Sequence, residues 1–381
     1  MSKNSLNQYP FSSIIRQILV QEFAENADYI FERSTLISYL NRKTKSVDKG
    51  SKARGSFANI YALYVLIEDY INKGYATRKD IDYSVYEGAK FIDLFRRQRQ
   101  LPFGAKLQNH ALNHRLNSEF RKFFPISEID PIIRDVEKQR YWIHEDLLKI
   151  SVPHGNKHTI EFNLAHSIIK IIDEYIMQKK SSFENFIKIC KEMSTLETKE
   201  NELAVSFIQE QLNPNVDARI FEIVSYAVLK VKYSEDTIWI GEERESVTEK
   251  ALVLYKTGRT NANDGGIDFV MKPIGRFFQV TETLDTTKYF LDIDKIQRFP
   301  ITFVVKTELS SAEIKEAIRK KAISKFKIKT VIDSYMNSIE EIINVPALLS
   351  YLNGITQPEL LQQILAEIAI QSKVEFNYVG E

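Results

Sequence analysis

Three consecutive segments constrain this chain more than any other feature: Ile267-Asp268-Phe269-Val270-Met271, then Lys272-Pro273-Ile274-Gly275, then Arg276-Phe277-Phe278-Gln279-Val280-Thr281. Two runs rich in β-branched and aromatic residues around a turn containing Pro and Gly read as a β-hairpin. With Met271 facing Arg276, the antiparallel register pairs Val270 with Phe277, Phe269 with Phe278 and Asp268 with Gln279. Opposed residues project from one sheet face with Cβ atoms about 4.5–5.5 Å apart, and Thr281 joins that face by alternation. A carboxylate among apolar strand residues needs a cation, donors or water. Mg²⁺ answers that need, because carboxylate, amide carbonyl and water oxygens are all hard ligands. A salt bridge to Lys256, Arg259 or Lys288 answers it too.

Asp264-Gly265-Gly266-Ile267-Asp268-Phe269, followed by Gly275-Arg276-Phe277-Phe278-Gln279-Val280, resembles the core of the PD-(D/E)xK nuclease superfamily. The nearest variant is the Mrr-like one, with Gln for the second acid. Leu254 through Glu282, particularly Tyr255-Lys256-Thr257-Gly258-Arg259-Thr260, also looks like bacterial type II restriction endonucleases. The resemblance spans roughly residues 219–330. It implies an α/β fold with a restriction-endonuclease-like mixed-sheet core flanked by helices. It also implies Asp268 and Gln279 as catalytic residues that hold Mg²⁺, and Glu222 as an accessory acid on the preceding helix. The implied activity is that of a sequence-specific, type II site-specific deoxyribonuclease of a restriction-modification system. It would hydrolyse double-stranded DNA to leave 5′-phosphates. A methylation- or damage-directed nuclease, or a DNA-binding module that has lost catalysis, is the competing reading.

The family pattern places a Lys two positions after the second acid, and Thr281 stands there. Either this branch dispenses with that Lys, or a cation from elsewhere in the chain reaches the site. Lys256 is the first candidate because its turn immediately precedes the strand entry; Lys288 and Lys295 follow. Glu282 would be an alternative ligand, but alternation points it away from Asp268.

Around this core the chain reads as two regions: a mainly helical DNA-recognition region over 1–211, and the nuclease core with C-terminal helices over 212–381. The turn Asn213-Pro214-Asn215 marks the boundary. Apolar spacing predicts helices over 57–71, 162–178 and 221–231, two more within 181–211, and further helix over 249–255 and 331–372. Thr237–Gly241 and Ile301–Thr307 read as strands, and Ser310 to Glu313 has capping-box spacing.

The 52 Lys/Arg and 51 Asp/Glu nearly cancel, but not locally. Residues 31–60, 91–125 and 301–330 each carry a basic surplus of five, and separated basic patches can line one cleft for a polyanion. Within them Lys43, Arg54, Arg96, Arg97, Arg99, Lys106, Gln108, Asn109, Asn113 and Arg115, with Arg259 further on, are the expected DNA contacts. Arg and Lys address phosphate or guanine, and Asn and Gln address adenine edges. Leu107, Ala111 and Leu116 would be the dry side of a helix in that stretch. The single Cys190 excludes disulfides and multi-cysteine metal sites. No apolar run reaches membrane-spanning length and no signal core opens the chain, so a cytoplasmic protein is expected. A homodimer would match a palindromic target.

Overall fold

The computed structural model describes residues 9–45, 53–78, 80–105, 107–154, 158–194, 201–214, 216–257, 267–282 and 286–376. They form a mixed α/β protein that divides into two compact units, Met1–Glu184 and Asn185–Glu381. No helix among the described residues is long and apolar enough to cross a membrane.

In the first unit, α1 (Ser12–Phe23), α2 (Ala27–Arg33), α3 (Thr35–Thr44), α4 (Ala53–Asn72), α5 (Phe91–Gln100) and α6 (Leu116–Phe123) share one apolar core with the first turns of α7 (Ala165–Ser194). α4 forms where the three- and four-residue spacing predicts a helix, but it is buried on every side from Phe57 to Ile67 rather than along one stripe. Ser34 caps α3 by accepting from the Ile37 N–H. Three short strands, β1 (Ala89–Lys90), β2 (Ile132–Asp135) and β3 (Arg140–Ile143), form an antiparallel sheet in the order β1-β3-β2. A hairpin of β4 (Lys149–His154) and β5 (His158–Asn163) follows. The helical reading overlooked these strands, which are too short to impose a clear period of two.

The second unit is built on a five-stranded mixed sheet in the order β12-β11-β10-β9-β8. Its chain order is α8 (Asn201–Gln211), α9 (Ala218–Ser234), the small hairpin β6 (Thr237–Ile240) and β7 (Thr248–Ala251), then β8 (Val253–Lys256), β9 (Phe269–Lys272), β10 (Arg276–Thr281) and α10 (Thr286–Lys295). β11 (Ile301–Val305), α11 (Ser311–Phe326), α12 (Lys329–Asn337), β12 (Ile339–Asn344), α13 (Val345–Asn353) and α14 (Pro358–Phe376) complete it. β8, β9 and β10 run antiparallel, whereas β10, β11 and β12 run parallel. A parallel neighbour needs a crossover, and α10 supplies it between β10 and β11.

Alternation sorts this sheet into two cores. Leu254, Phe269, Met271, Phe278, Val280 and Val304 pack with residues of α9, α13 and α14. Ile301, Phe303 and Val305 pack on the other side with residues of α10, α11 and α12. α11 begins with the expected capping box, since Ser310 and Glu313 satisfy each other's backbone N–H.

Three expectations are corrected. Residues 249–255 are β7 and β8, not helix: Leu254 turns inward opposite Met271 while Val253 and Tyr255 face outward, a period of two. Residues 331–372 contain β12, whose Ile342 and Ile343 bury on opposite faces; a short apolar run of this kind reads equally well as helix. The Asn213-Pro214 turn lies inside the second unit, because Ala204 and Ile208 of α8 enter the same core as α9 and α14.

Candidate active site

The hairpin forms in the expected register: Arg276 pairs with Met271, Phe277 with Val270 and Phe278 with Phe269. Gly275, at φ +70°, takes the left-handed conformation that closes the turn, and its N–H bonds the Met271 carbonyl. At Asp268 the ladder gives way. Its N–H donates to the Phe278 carbonyl at 2.8 Å, one residue short of the register partner Gln279. The carboxylate takes over the next donor, with Oδ2 accepting from the Val280 N–H at 2.7 Å. The Asp268 carbonyl accepts from the Thr257 N–H at 2.9 Å. A side chain thus replaces one rung of the sheet, which fixes the carboxylate at the ends of β8, β9 and β10.

Asp268 is only 9% exposed. Burial, and then the negative charge of Glu222, push its carboxyl up to about 7; the Val280 N–H, Lys256 and Lys288 pull the other way. Gln279 is equally enclosed. Its Nε2 donates to the Val280 carbonyl at 3.1 Å, while its buried Oε1 has no hydrogen-bond partner among the described residues. A buried carbonyl oxygen without a donor is costly.

Glu222 projects from α9 and holds the Lys256 ammonium at 2.7 Å, each side chain 14% exposed. Lys256 ends β8 opposite Phe269, next to Asp268. Lys288 on α10 is exposed and makes no ion pair within 4 Å among the described residues. Lys295 instead pairs with Asp292 on its own helix at 3.0 Å. Thr281 is buried at the end of β10. Glu282 turns from Asp268 toward Lys306, at 3.2 Å.

The structure therefore gathers Asp268, Gln279, Glu222, Lys256 and Lys288 around the end of the central hairpin. Asp268 and the unsatisfied Gln279 Oε1 fit a hard divalent cation, because Mg²⁺ needs only one or two carboxylates and completes its shell with water and phosphate oxygens. No group of three or more His, Cys, Asp or Glu suited to a metal occurs among the described residues.

The expected DNA contacts fall in the first unit and are scattered in character. Lys43 is turned inward and engaged with Glu119 at 2.8 Å, where burial lowers it below the usual lysine range. Arg97 makes a two-pronged pair with Glu68, both distances 2.7 Å. Arg99 donates to the Ala105 carbonyl at 2.9 Å, and Asn113 accepts from the Tyr141 hydroxyl at 3.2 Å. Arg96, Gln108 and Arg115 are exposed and Asn109 is half-buried. Leu107, Ala111 and Leu116 are all buried, but Leu107 lies in the irregular segment before the helix, and only Ala111 and Leu116 are helical, with a π-helical turn over Ala111–Arg115. Lys106 and Arg259 lie outside the described residues, as does the side chain of Arg54.

Lys306 was missed by sequence reasoning. Its side chain is 3% exposed, bonded to the Val216 carbonyl and to Glu282. The available signal was a lysine directly after Ile301–Val305, a strand buried on both faces.

No protein-family model matches the chain, and neither the curated proteins nor the solved structures yield a match.

Proposed function

We propose that the protein is a Mg²⁺-dependent endonuclease that hydrolyses phosphodiester bonds of double-stranded DNA, as a type II restriction enzyme does. The observation that carries this reading is the end of the β9–β10 hairpin, where Asp268 is pushed up to about 7 beside the unpartnered Gln279 Oε1. The element order α9-β8-β9-β10-α10-β11 around a mixed sheet is consistent with a restriction-endonuclease-like core.

Asp268 and Gln279 would hold Mg²⁺. When bound, the ion would draw negative charge off the scissile phosphate and acidify the attacking water. Asp268 must first give up its proton, which its position near neutrality permits. Lys256, fixed by Glu222, and Lys288 would supply positive charge beside the carboxylate in place of the missing motif lysine. Positive charge held in place before reaction stabilises the transition state more than the ground state. Arg96, Gln108, Asn109 and Arg115 remain accessible to phosphates or base edges, and a homodimer would read a palindromic site.

Incubation of the purified protein with mixed-sequence plasmid, in Mg²⁺ and in EDTA, tests the reading. Discrete fragments with 5′-phosphate ends in Mg²⁺ alone are expected. Cleavage that persists in EDTA overturns it. Salt-sensitive binding without cutting leaves the DNA-binding module instead.

A further inference from the structure

Strand alternation turns Lys306, directly after β11, to the side of the sheet that Val304 shares with α9. Its backbone N–H donates to the Thr281 carbonyl at 2.9 Å and so adds a rung to the parallel β10–β11 ladder. Its buried ammonium reaches two further points. It bonds the Val216 carbonyl, and it meets Glu282 Oε1 at 3.2 Å, with the Phe221 ring centroid 6.0 Å away. Val216 immediately precedes Asp217, which caps α9 by accepting from the Arg219 N–H at 2.8 Å. Glu282 immediately follows Thr281, the last residue of β10. One side chain therefore ties the start of α9 to the end of β10.

Those two elements carry separate parts of the candidate site. α9 presents Glu222, which fixes Lys256. β10 presents Gln279 and the Val280 N–H, which holds the Asp268 carboxylate at 2.7 Å. A buried ion pair is a poor device for stability alone, because desolvation of both charges offsets their attraction and an apolar side chain of similar volume often serves as well. What an ammonium adds is direction, since its donors must find acceptors at fixed places. Here the acceptors stand on either side of the site.

We propose that Lys306 is a positioning residue that sets the start of α9 against the end of β10, and thereby holds Glu222 in register with Gln279 and Asp268. Its service to cleavage rests on the nuclease reading; its alignment of the two elements does not. The experiment compares the full-length parent with Lys306→Met, which keeps much of the bulk and deletes the donors. Amide hydrogen exchange of the metal-free proteins is followed by mass spectrometry. Duplex binding and single-turnover cleavage are measured in Mg²⁺.

In Lys306→Met, exchange at the end of β10, where the Val280 N–H meets Asp268, should rise about five- to tenfold while β12 stays as protected as in the parent. The single-turnover rate should fall about 10- to 100-fold with duplex affinity unchanged, since a misplacement of about 1 Å suffices for that. Exchange that rises uniformly across the sheet makes Lys306 merely structural and overturns the proposal. So does a β10 end that exchanges as in the parent, or a normal cleavage rate beside a loosened one. A parent protein that cuts no DNA removes the nuclease reading, and the exchange pattern then decides the alignment by itself. Should Lys306→Met not fold, Glu282→Ala takes its place. That side chain is 28% exposed, and its loss should loosen the β10 end selectively but less.

Discussion

Each unit buries a charge among apolar side chains, and the two treat it differently. In the first, Lys43 is 10% exposed, yet Glu119 meets its ammonium at 2.8 Å; the Tyr39 hydroxyl and the Asn59 amide donate to the same carboxylate, and the Asn59 Oδ1 alone goes unpaired. In the second, Asp268 meets one backbone donor, while Lys256 is committed to Glu222 and the adjacent Gln279 Oε1 has no donor. The first cluster is neutralised from within. Each leaves one amide oxygen unsatisfied among the described residues, but the second also forces a carboxyl up to about 7. A buried charge with a dedicated partner is architecture, whereas one held short of neutrality favours whatever arrives to complete it.

Four substitutions test that contrast. Asp268→Asn should abolish Mg²⁺-dependent cleavage, a loss of at least about 10³-fold, and at the same time stabilise the metal-free fold. The sign follows from linkage. The folded carboxyl titrates near 7, above its unfolded range, so the native state gives up stability as pH rises from about 4 to 7. The neutral variant is spared this, and its gain should grow across that window to on the order of 2–4 kcal/mol and then level off. Thermal melts at pH 4.5 and pH 8 in EDTA measure it; equal gains at both would show that Asp268 is not raised.

Lys43→Met leaves Glu119 half-buried without its cation, which should cost about 3–5 kcal/mol in denaturant unfolding. Duplex affinity of the folded protein should be unchanged. A stable variant with weakened DNA binding would instead make Lys43 a phosphate contact.

Lys256→Met should cost less stability but reduce cleavage by about 10- to 100-fold. It should also shift the alkaline rise of the pH–rate profile upward, since Lys256 lowers the Asp268 value and its loss leaves Glu222 unneutralised. An unmoved profile would detach Lys256 from Asp268.

The smallest effect belongs to Arg96→Ala. This exposed side chain pairs with Asp93 at only 3.6 Å, so stability should change by less than about 0.5 kcal/mol. If it meets one phosphate, the salt dependence of duplex binding should flatten by about 0.9 in log–log slope. An unchanged slope would remove Arg96 from the interface.

The sequence carried the hairpin and its register because turn residues and alternation act locally, and Asp268 and Gln279 were legible for the same reason. The Glu222–Lys256 pair was not, because it depends on α9 packing over β8, a contact between elements rather than a pattern within one. β12 was hidden by its burial on both faces, which erases alternation. Among the proposed DNA contacts, composition did not distinguish the inward Lys43 and the Glu68-bound Arg97 from the accessible Arg96 and Arg115. Net charge over a window counts cations without asking which already have partners.

If Asp268 holds Mg²⁺, it must exchange its proton for the ion. Calorimetric titration of the metal-free protein with Mg²⁺ at pH 6.5, in buffers of different ionisation enthalpy, counts protons released per ion bound. Most of one proton should be released by the parent protein and none by Asp268→Asn, with tighter binding in the parent as pH rises through about 7. Mg²⁺ binding of equal strength in both proteins, with no proton released, would contradict it.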